Sequence, residues 1–248
     1  MCTIVLAAGV FATHPLVVVA NRDEELARAS SPPLLWPPSN DAGAKRFIAP
    51  RDDVAGGTWL GVNEGGLFVG ITNRFLGPKD PSRVSRGALV VEALALGSAR
   101  AVHAALAKVP ASRHNGFHLV YADAHDVLAT ASNGFHIAQV DLGRGLHMIT
   151  ERSFGAGDDR TRLARIRAAW GSRTEDGVVD AERLSSLLTD HDDADPLAAT
   201  CIHIPGMGYG TRSSATVAIA QDPEASRMLW AEGPPCTTAF VPVPLKTR

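Results

Sequence analysis

The sequence predicts an α+β protein of two stacked, mainly antiparallel sheets covered on the outside by helices. Short apolar runs rich in β-branched residues recur along the chain and read as strands buried on both faces. Helix-like segments come in pairs between groups of strands, the grouping of an α+β fold. The 248 residues, 45% hydrophobic and 20% charged, suffice to bury a sizeable core without disulfides or metals as staples. No linker, repeat or low-complexity segment divides the chain, so residues 1–248 are expected to form one domain.

The first two strands, residues 3–8 and 16–20, flank Gly9, Thr13, His14 and Pro15, which favour a turn. Pairing Ala8 with Leu16 sets Cys2 opposite Arg22, within two residues of register. The chain start therefore meets Asn21-Arg22-Asp23-Glu24 at one end of a sheet. Residues 31–38 are Pro-rich and read as irregular. A second hairpin joins residues 58–62 to 67–73 through Asn63-Glu64-Gly65-Gly66. Residues 86–109 turn helical, rich in Ala and Leu, with a break at Gly97-Ser98. Strand character returns at 117–122, 127–131, 135–140 and 145–150. Residues 160–170 form a helix with Leu163, Ile166 and Trp170 on one stripe and arginines on the other. Asp180 N-caps a helix over 181–188. Strands near 200–204, 214–220, 228–231 and 239–243 close the chain. The expected order is four strands, two helices, four strands, two helices, four strands.

A formal net charge of −2 gives no field that would attract nucleic acid or an anionic membrane. Three scattered cysteines, Cys2, Cys201 and Cys236, make no disulfide framework and no CxxC, which favours a reducing, cytoplasmic location. The apolar start lacks a basic flank and is split by His14-Pro15, against a signal peptide. No run reaches the ~18 apolar residues of a membrane span. The histidines show no metal-ligand spacing: His114 and His118 straddle a loop-to-strand step, and His191-Asp192-Asp193 reads as a solvated helix end. No metal or other cofactor is expected. Oligomeric state leaves no mark in the sequence.

Cys2 carries the chemistry. Once Met1 is removed, one residue holds both a thiol, with a reference pKa of about 8.5, and a free α-amine, at about 7.7–8.0. The amine can then act as base for its own side chain. Arg22 across the hairpin favours thiolate, and Asp23 points to the opposite face of the strand. Against this stands the ordinary role of a free cysteine, a small buried hydrophobe. Spacing alone leaves the two readings open.

The blocks Met1-Cys2-Thr3-Ile4-Val5, Asn21-Arg22-Asp23-Glu24, Gly56-Gly57-Thr58-Trp59-Leu60-Gly61, Ile71-Thr72-Asn73 and Tyr209-Gly210-Thr211-Arg212-Ser213-Ser214 resemble the signature of the NRDE family, the family of the eukaryotic transport and Golgi organisation protein 2. They extend from residue 1 to about 220. More distantly the pattern is similar to the cysteine Ntn hydrolases, such as bile-salt hydrolase and penicillin V acylase. That resemblance implies a four-layer αββα sandwich and a mature N-terminal cysteine. It also implies supporting roles for Arg22 and Asp23, an oxyanion-hole role for Asn73 and a late arginine at Arg212. Those hydrolases read Arg-Asn-x-Asp where this chain reads Asn-Arg-Asp-Glu, and their further middle-strand Asn has no clear match near Thr150-Glu151-Arg152.

The side-chain chemistry leaves alternatives at each supporting position. Asn73 is an oxyanion donor or a strand-end cap. Arg212 binds a substrate carboxylate, biases Cys2 towards thiolate, or is a solvated strand-end arginine. Trp59 walls a substrate pocket or, more commonly for a strand Trp, belongs to the core. Asn21 is grouped with Trp59 as substrate-binding. The expected activity is that of an Ntn-type cysteine amidohydrolase or acyltransferase on a small-molecule amide or acyl substrate. The alternatives are a binding or transport protein for haem or acyl lipids, and a redox-active thiol protein.

Overall fold

Strands β1 (Cys2–Ala8) and β2 (Leu16–Glu25) form the expected hairpin, with Ala8 paired to Leu16 and Cys2 to Arg22. The computed structural model describes residues 2–74, 76–154, 160–174 and 177–245. Two compact units emerge, one built from Met1–Arg28 with Gly145–Pro244, the other around Ala29–Arg144. Each holds one antiparallel sheet of seven strands.

The second unit opens with β3 (Ser30–Trp36) and β4 (Phe47–Asp52), where an irregular segment was expected. Pro32 and Pro33 hid β3, but they fall where the pairing register slips, between Ser31 and Leu34, on an edge strand. There a missing N–H costs no ladder bond. The first group therefore has six strands rather than four. The hairpin of β5 (Leu60–Asn63) and β6 (Phe68–Asn73) is closed by the Asn63 side chain. Its Oδ1 accepts from the N–H groups of Gly65 and Leu67 at 2.9 and 3.1 Å. Helices α1 (Arg86–Leu94) and α2 (Ala99–Leu106) follow, N-capped by Ser85 and Ser98. β7 (Phe117–Ala122), β8 (Val127–Ser132) and β9 (Ile137–Asp141) complete a meander from β3 to β9 in chain order.

The first unit resumes with β10 (Gly145–Thr150), α3 (Arg160–Thr174) and α4 (Ala181–Ser185). Asp180 N-caps α4 as expected, its carboxylate accepting from the N–H groups of Glu182 and Arg183. Then come β11 (His203–Ile204), β12 (Tyr209–Ile219), β13 (Arg227–Ala231) and β14 (Val241–Val243). β12 starts five residues before the expected residue 214, at a point where glycine is needed. A Cβ on Gly210 would lie 2.6 Å from the Ile202 carbonyl oxygen. The sheet order is β10-β1-β2-β12-β13-β14, with β11 added beside β12.

β1 is buried along its whole length, as the apolar run implied. Its odd-numbered residues Val5 and Ala7, with Val17 and Val19 of β2, pack with Ile166 and Trp170 of α3 and Leu184 of α4. The helices thus cover one face, and Ile4, Leu6 and Val18 are buried on the other. Among the described residues no helix is long and apolar enough to cross a membrane.

Candidate active site

Strand alternation sorts the four residues 21 to 24 into two pairs. Asn21 and Asp23 point to the helix-covered face, whereas Arg22 and Glu24 share the opposite face with Cys2. Cys2 and Arg22 are direct cross-strand partners, so their side chains stand side by side. Glu24 Oε2 lies 3.7 Å from Arg22 Nη2, and Arg28 approaches the same carboxylate oxygen at 4.0 Å.

Cys2 is 6% exposed. Burial pushes its thiol pKa above the usual value, and the Asp23 carboxylate adds to that rise. The Asp23 backbone N–H and the Arg22 guanidinium pull it down. The expected effect of Arg22 is therefore present but outweighed by desolvation. The thiol stays protonated at neutral pH and needs a base before it can attack a carbonyl. Met1, whose removal would supply that base as the Cys2 amine, lies outside the described residues.

Asp23 is buried at 2% exposure. Thr211 Oγ1 donates to its Oδ1 at 2.6 Å, and the Tyr209 hydroxyl donates to its backbone oxygen at 2.9 Å. Burial pushes the carboxyl pKa from 3.8 up to about 6, against the pull of Arg162 and the Thr211 hydrogen bond. The folded state thus holds the Asp23 proton more tightly than the unfolded chain. The stability this contributes is complete below about pH 4 and is lost as pH rises through about 6, a change of about 3 kcal/mol. Asp23→Asn removes that slope and still offers Thr211 an acceptor. Urea midpoints between pH 4 and 7 should show the wild type losing about 3 kcal/mol relative to the variant. Parallel profiles would show that Asp23 does not titrate in this window.

Behind Asp23 sits an arginine that no motif flagged. Arg162 of α3 is 1% exposed. Its Nε and Nη2 donate to the Leu197 carbonyl at 3.0 and 2.6 Å, and its Nη1 to Thr3 Oγ1 at 3.2 Å. The arginines of this helix were all expected on the solvent face, and Arg162 is the exception. Ile166 and Trp170 follow it at steps of four, so it shares their buried stripe. That signal was present in the sequence, masked by the charge of the residue.

Asn21, expected at the substrate, is committed to the scaffold instead. Its amide donates to the carbonyls of Leu188 and Thr200 at 3.0 and 2.7 Å, and its Oδ1 accepts from Ser214 Oγ at 2.6 Å. The amide is fully buried, with both N–H groups and one lone pair of its oxygen engaged by the scaffold. Arg212 occupies a bulge: Thr211 pairs with Asp23 and Ser213 with Arg22, leaving Arg212 between them. Its Nη1 lies 3.0 Å from Glu232 Oε1. Thr211 and Ser214, which engage Asp23 and Asn21, lie in the Tyr209–Ser214 block, of which only Arg212 was expected to have a role at the site.

Asn73 and Trp59 belong to the second unit. Asn73 ends β6 half-buried, opposite Phe117 of β7. Its oxyanion role rests on the resemblance alone. Trp59, one residue before β5, is 8% exposed and counts with the core.

One gathering of side chains departs from the expectation of no metal-ligand spacing. The candidate ligand atoms of His191, His203 and Cys236 all lie within 4.8 Å of one another. Their separations in sequence match no local motif, so only the fold reveals them.

The fold is shared with a bile acid hydrolase and an acid amidase. A mutant of the conjugated bile acid hydrolase from Clostridium perfringens matches with a TM-score of 0.61 at 11% identity, over 100% of this chain and 98% of that one. A Caenorhabditis elegans ortholog of N-acylethanolamine-hydrolyzing acid amidase matches with a TM-score of 0.58 at 12% identity, over 98% of this chain and 100% of that one. Such low identities speak for the fold alone, and it is the α+β, two-sheet, Ntn-hydrolase-like fold the sequence predicts. The Mus musculus transport and Golgi organization 2 homolog is 29% identical over 110 residues. That match covers 44% of this chain and 39% of the mouse protein, less than half the length of either. The family described as Transport and Golgi organisation 2 matches residues 1–228, from the start of β1 into β13. With its signature blocks lying within that span, the chain belongs to the Transport and Golgi organisation 2 family.

Proposed function

We propose that the protein is an Ntn-type cysteine amidohydrolase or acyltransferase that works through Cys2 after removal of Met1. The observation that carries this reading is the direct pairing of Cys2 with buried Arg22, with Asp23 buried one residue further on. A desolvated thiol with a raised pKa is a poor nucleophile until its proton is removed. The freed α-amine of Cys2 is the base at hand, and the two flanking charges favour the transfer. Arg22 stabilises the thiolate that forms, and Asp23 stabilises the ammonium.

The sulfur then attacks the acyl carbon, forming a C–S bond as the carbonyl electrons move to oxygen. Collapse breaks the bond to the leaving group, which takes the proton from the Cys2 ammonium and departs as a neutral amine. The thioester left on Cys2 passes its acyl group to water or to a second amine. That acceptor gives its proton to the Cys2 amine, and the amine returns it to sulfur as the thiol re-forms. Arg212 adds positive charge at the bulge beside Ser213, the cross-strand partner of Arg22. An amide substrate is favoured because one fold relative is named an N-acylethanolamine-hydrolyzing amidase, and the other is named a hydrolase of conjugated bile acids.

The test is intact mass before and after p-nitrophenyl butyrate. The expected chain lacks methionine and gains one butyryl group, absent in Cys2→Ala. A retained Met1, or an adduct that survives in the variant, overturns the proposal and leaves a binding protein for haem or acyl lipids as the better account.

A further inference from the structure

We infer that the first unit carries a zinc site made by His191, His203 and Cys236, with Cys201 as the fourth ligand. Cys236 Sγ lies 3.2 Å from His203 Nε2, and Cys201 Sγ lies 3.3 Å from the same nitrogen. The rings of His191 and His203 meet edge to face with centroids 4.3 Å apart. A tetrahedral zinc ion has Zn–S bonds of about 2.3 Å and Zn–N bonds of about 2.0–2.1 Å, which set N···S edges of about 3.5 Å. The two sulfur–nitrogen distances at His203 are within a few tenths of an ångström of that edge, and the His191 ligand atom lies within 4.8 Å of those of His203 and Cys236.

The donor set selects the metal. Two thiolates and two imidazoles are the soft and borderline ligands that zinc takes in closed structural sites, while carboxylate-binding ions such as magnesium and calcium prefer oxygen. An outer partner is already in place. His191 Nε2 lies 2.8 Å from Asp193 Oδ1, the carboxylate–imidazole contact that fixes the tautomer and orientation of a metal-bound histidine. With that nitrogen turned to Asp193, Nδ1 is the one left for the ion. Binding would displace the thiol protons of Cys201 and Cys236 to solvent, with no change of oxidation state.

The position of the cluster suits a staple. His191 lies in the loop after α4, His203 in β11, and Cys236 in the connection from β13 to β14. Cys201 is fully buried, and its N–H donates to the Asp190 carbonyl at 2.8 Å. One ion would tie these three segments together. The segment between Thr200 and Ile202 also supports the candidate active site. Asn21 donates to the Thr200 carbonyl, and the Ile202 N–H donates to Thr211 Oγ1, which in turn donates to Asp23. The staple would therefore stiffen the backing of Asp23 without touching Cys2.

The test uses tag-free full-length protein, stripped with a chelator under reducing conditions and titrated with Zn²⁺ against a chromophoric competitor. Co²⁺ serves as the spectroscopic probe. The expected result is one equivalent per chain, a thiolate-to-cobalt charge-transfer band, and a rise in melting temperature on zinc addition. Cys236→Ser, at an exposed position that should leave folding intact, weakens cobalt binding by about 10-fold or more and lowers the band towards that of the one remaining thiolate, Cys201. Asp193→Asn weakens zinc binding by about 10-fold. Cys2→Ala leaves binding unchanged, which separates this site from the proposed catalytic one. A zinc affinity unchanged by Cys236→Ser, a cobalt spectrum without thiolate bands, or a Cys201–Cys236 disulfide as the form present in freshly isolated protein would each overturn the inference.

Discussion

Cys2→Ala is expected to reduce turnover of an acyl substrate by three orders of magnitude or more while the protein keeps its fold. Losing the residue that forms the covalent intermediate removes the whole pathway, and the supporting groups cannot replace it. The structural cost is small by comparison. One sulfur leaves a small side chain at a strand end, and neither the β1–β2 ladder nor the apolar core beyond Ile4 depends on it. Burst release of p-nitrophenolate measures the chemistry, and a thermal melt checks the fold. Turnover within tenfold of wild type would remove Cys2 from the mechanism. Cys2→Ser adds a useful contrast. It keeps the α-amine and nearly the same shape but offers a far less acidic nucleophile, so a large loss there isolates the sulfur from its position.

The largest effect on stability is expected at Arg162. Arg162→Met keeps the apolar stem in the α3 stripe and deletes the charge. Three hydrogen bonds go with it, two to Leu197 and one to Thr3. The Leu197 carbonyl then loses its guanidinium donors, and the Asp23 carboxylate loses a cation that holds its pKa down. Losing a buried charged donor's hydrogen bonds, at about 1.5–3 kcal/mol each, and leaving the Leu197 carbonyl without them costs about 3 kcal/mol or more. Pairing the change with Asp23→Asn should recover more than about 1 kcal/mol, because the stranded negative charge is then gone as well. Urea denaturation of the four proteins in that cycle gives the coupling. Additive losses would mean that Arg162 acts through Leu197 and Thr3 alone.

The fold and the backbone of the candidate site were legible because both rest on local pattern. The apolar runs on either side of residues 9 to 15 fixed the pairing to within two residues, which brought Cys2 near Arg22, and the structure sets the two directly opposite. Asp180 announced a helix start through a side chain that accepts backbone hydrogen bonds. What stayed hidden depends on long-range placement or on residues whose usual behaviour misleads. Pro32-Pro33 argued against a strand, yet an edge with slipped register accommodates them. Gly210 and the polar residues after it disguised the first half of β12, and with it the hydroxyls that hold Asn21 and Asp23. Arg162 carried the periodicity of a core position and the charge of a surface one. The grouping of His191, His203 and Cys236 has no sequence signal, since segments from three parts of the first unit create it.

Strands β1 and β2 lie side by side in the middle of the first sheet, yet their outer neighbours β10 and β12 are made much later, within residues 145–219. At about 5–20 residues per second, a ribosome needs on the order of 10–40 s to travel from β2 to the end of β12. Through that interval the opening hairpin leaves the tunnel with both edges bare and one apolar face unclaimed, a form that invites chaperones. The same delay suits the proposed maturation. An aminopeptidase can reach the nascent end while it is still loose, and the arrival of β12 then closes the sheet around Cys2.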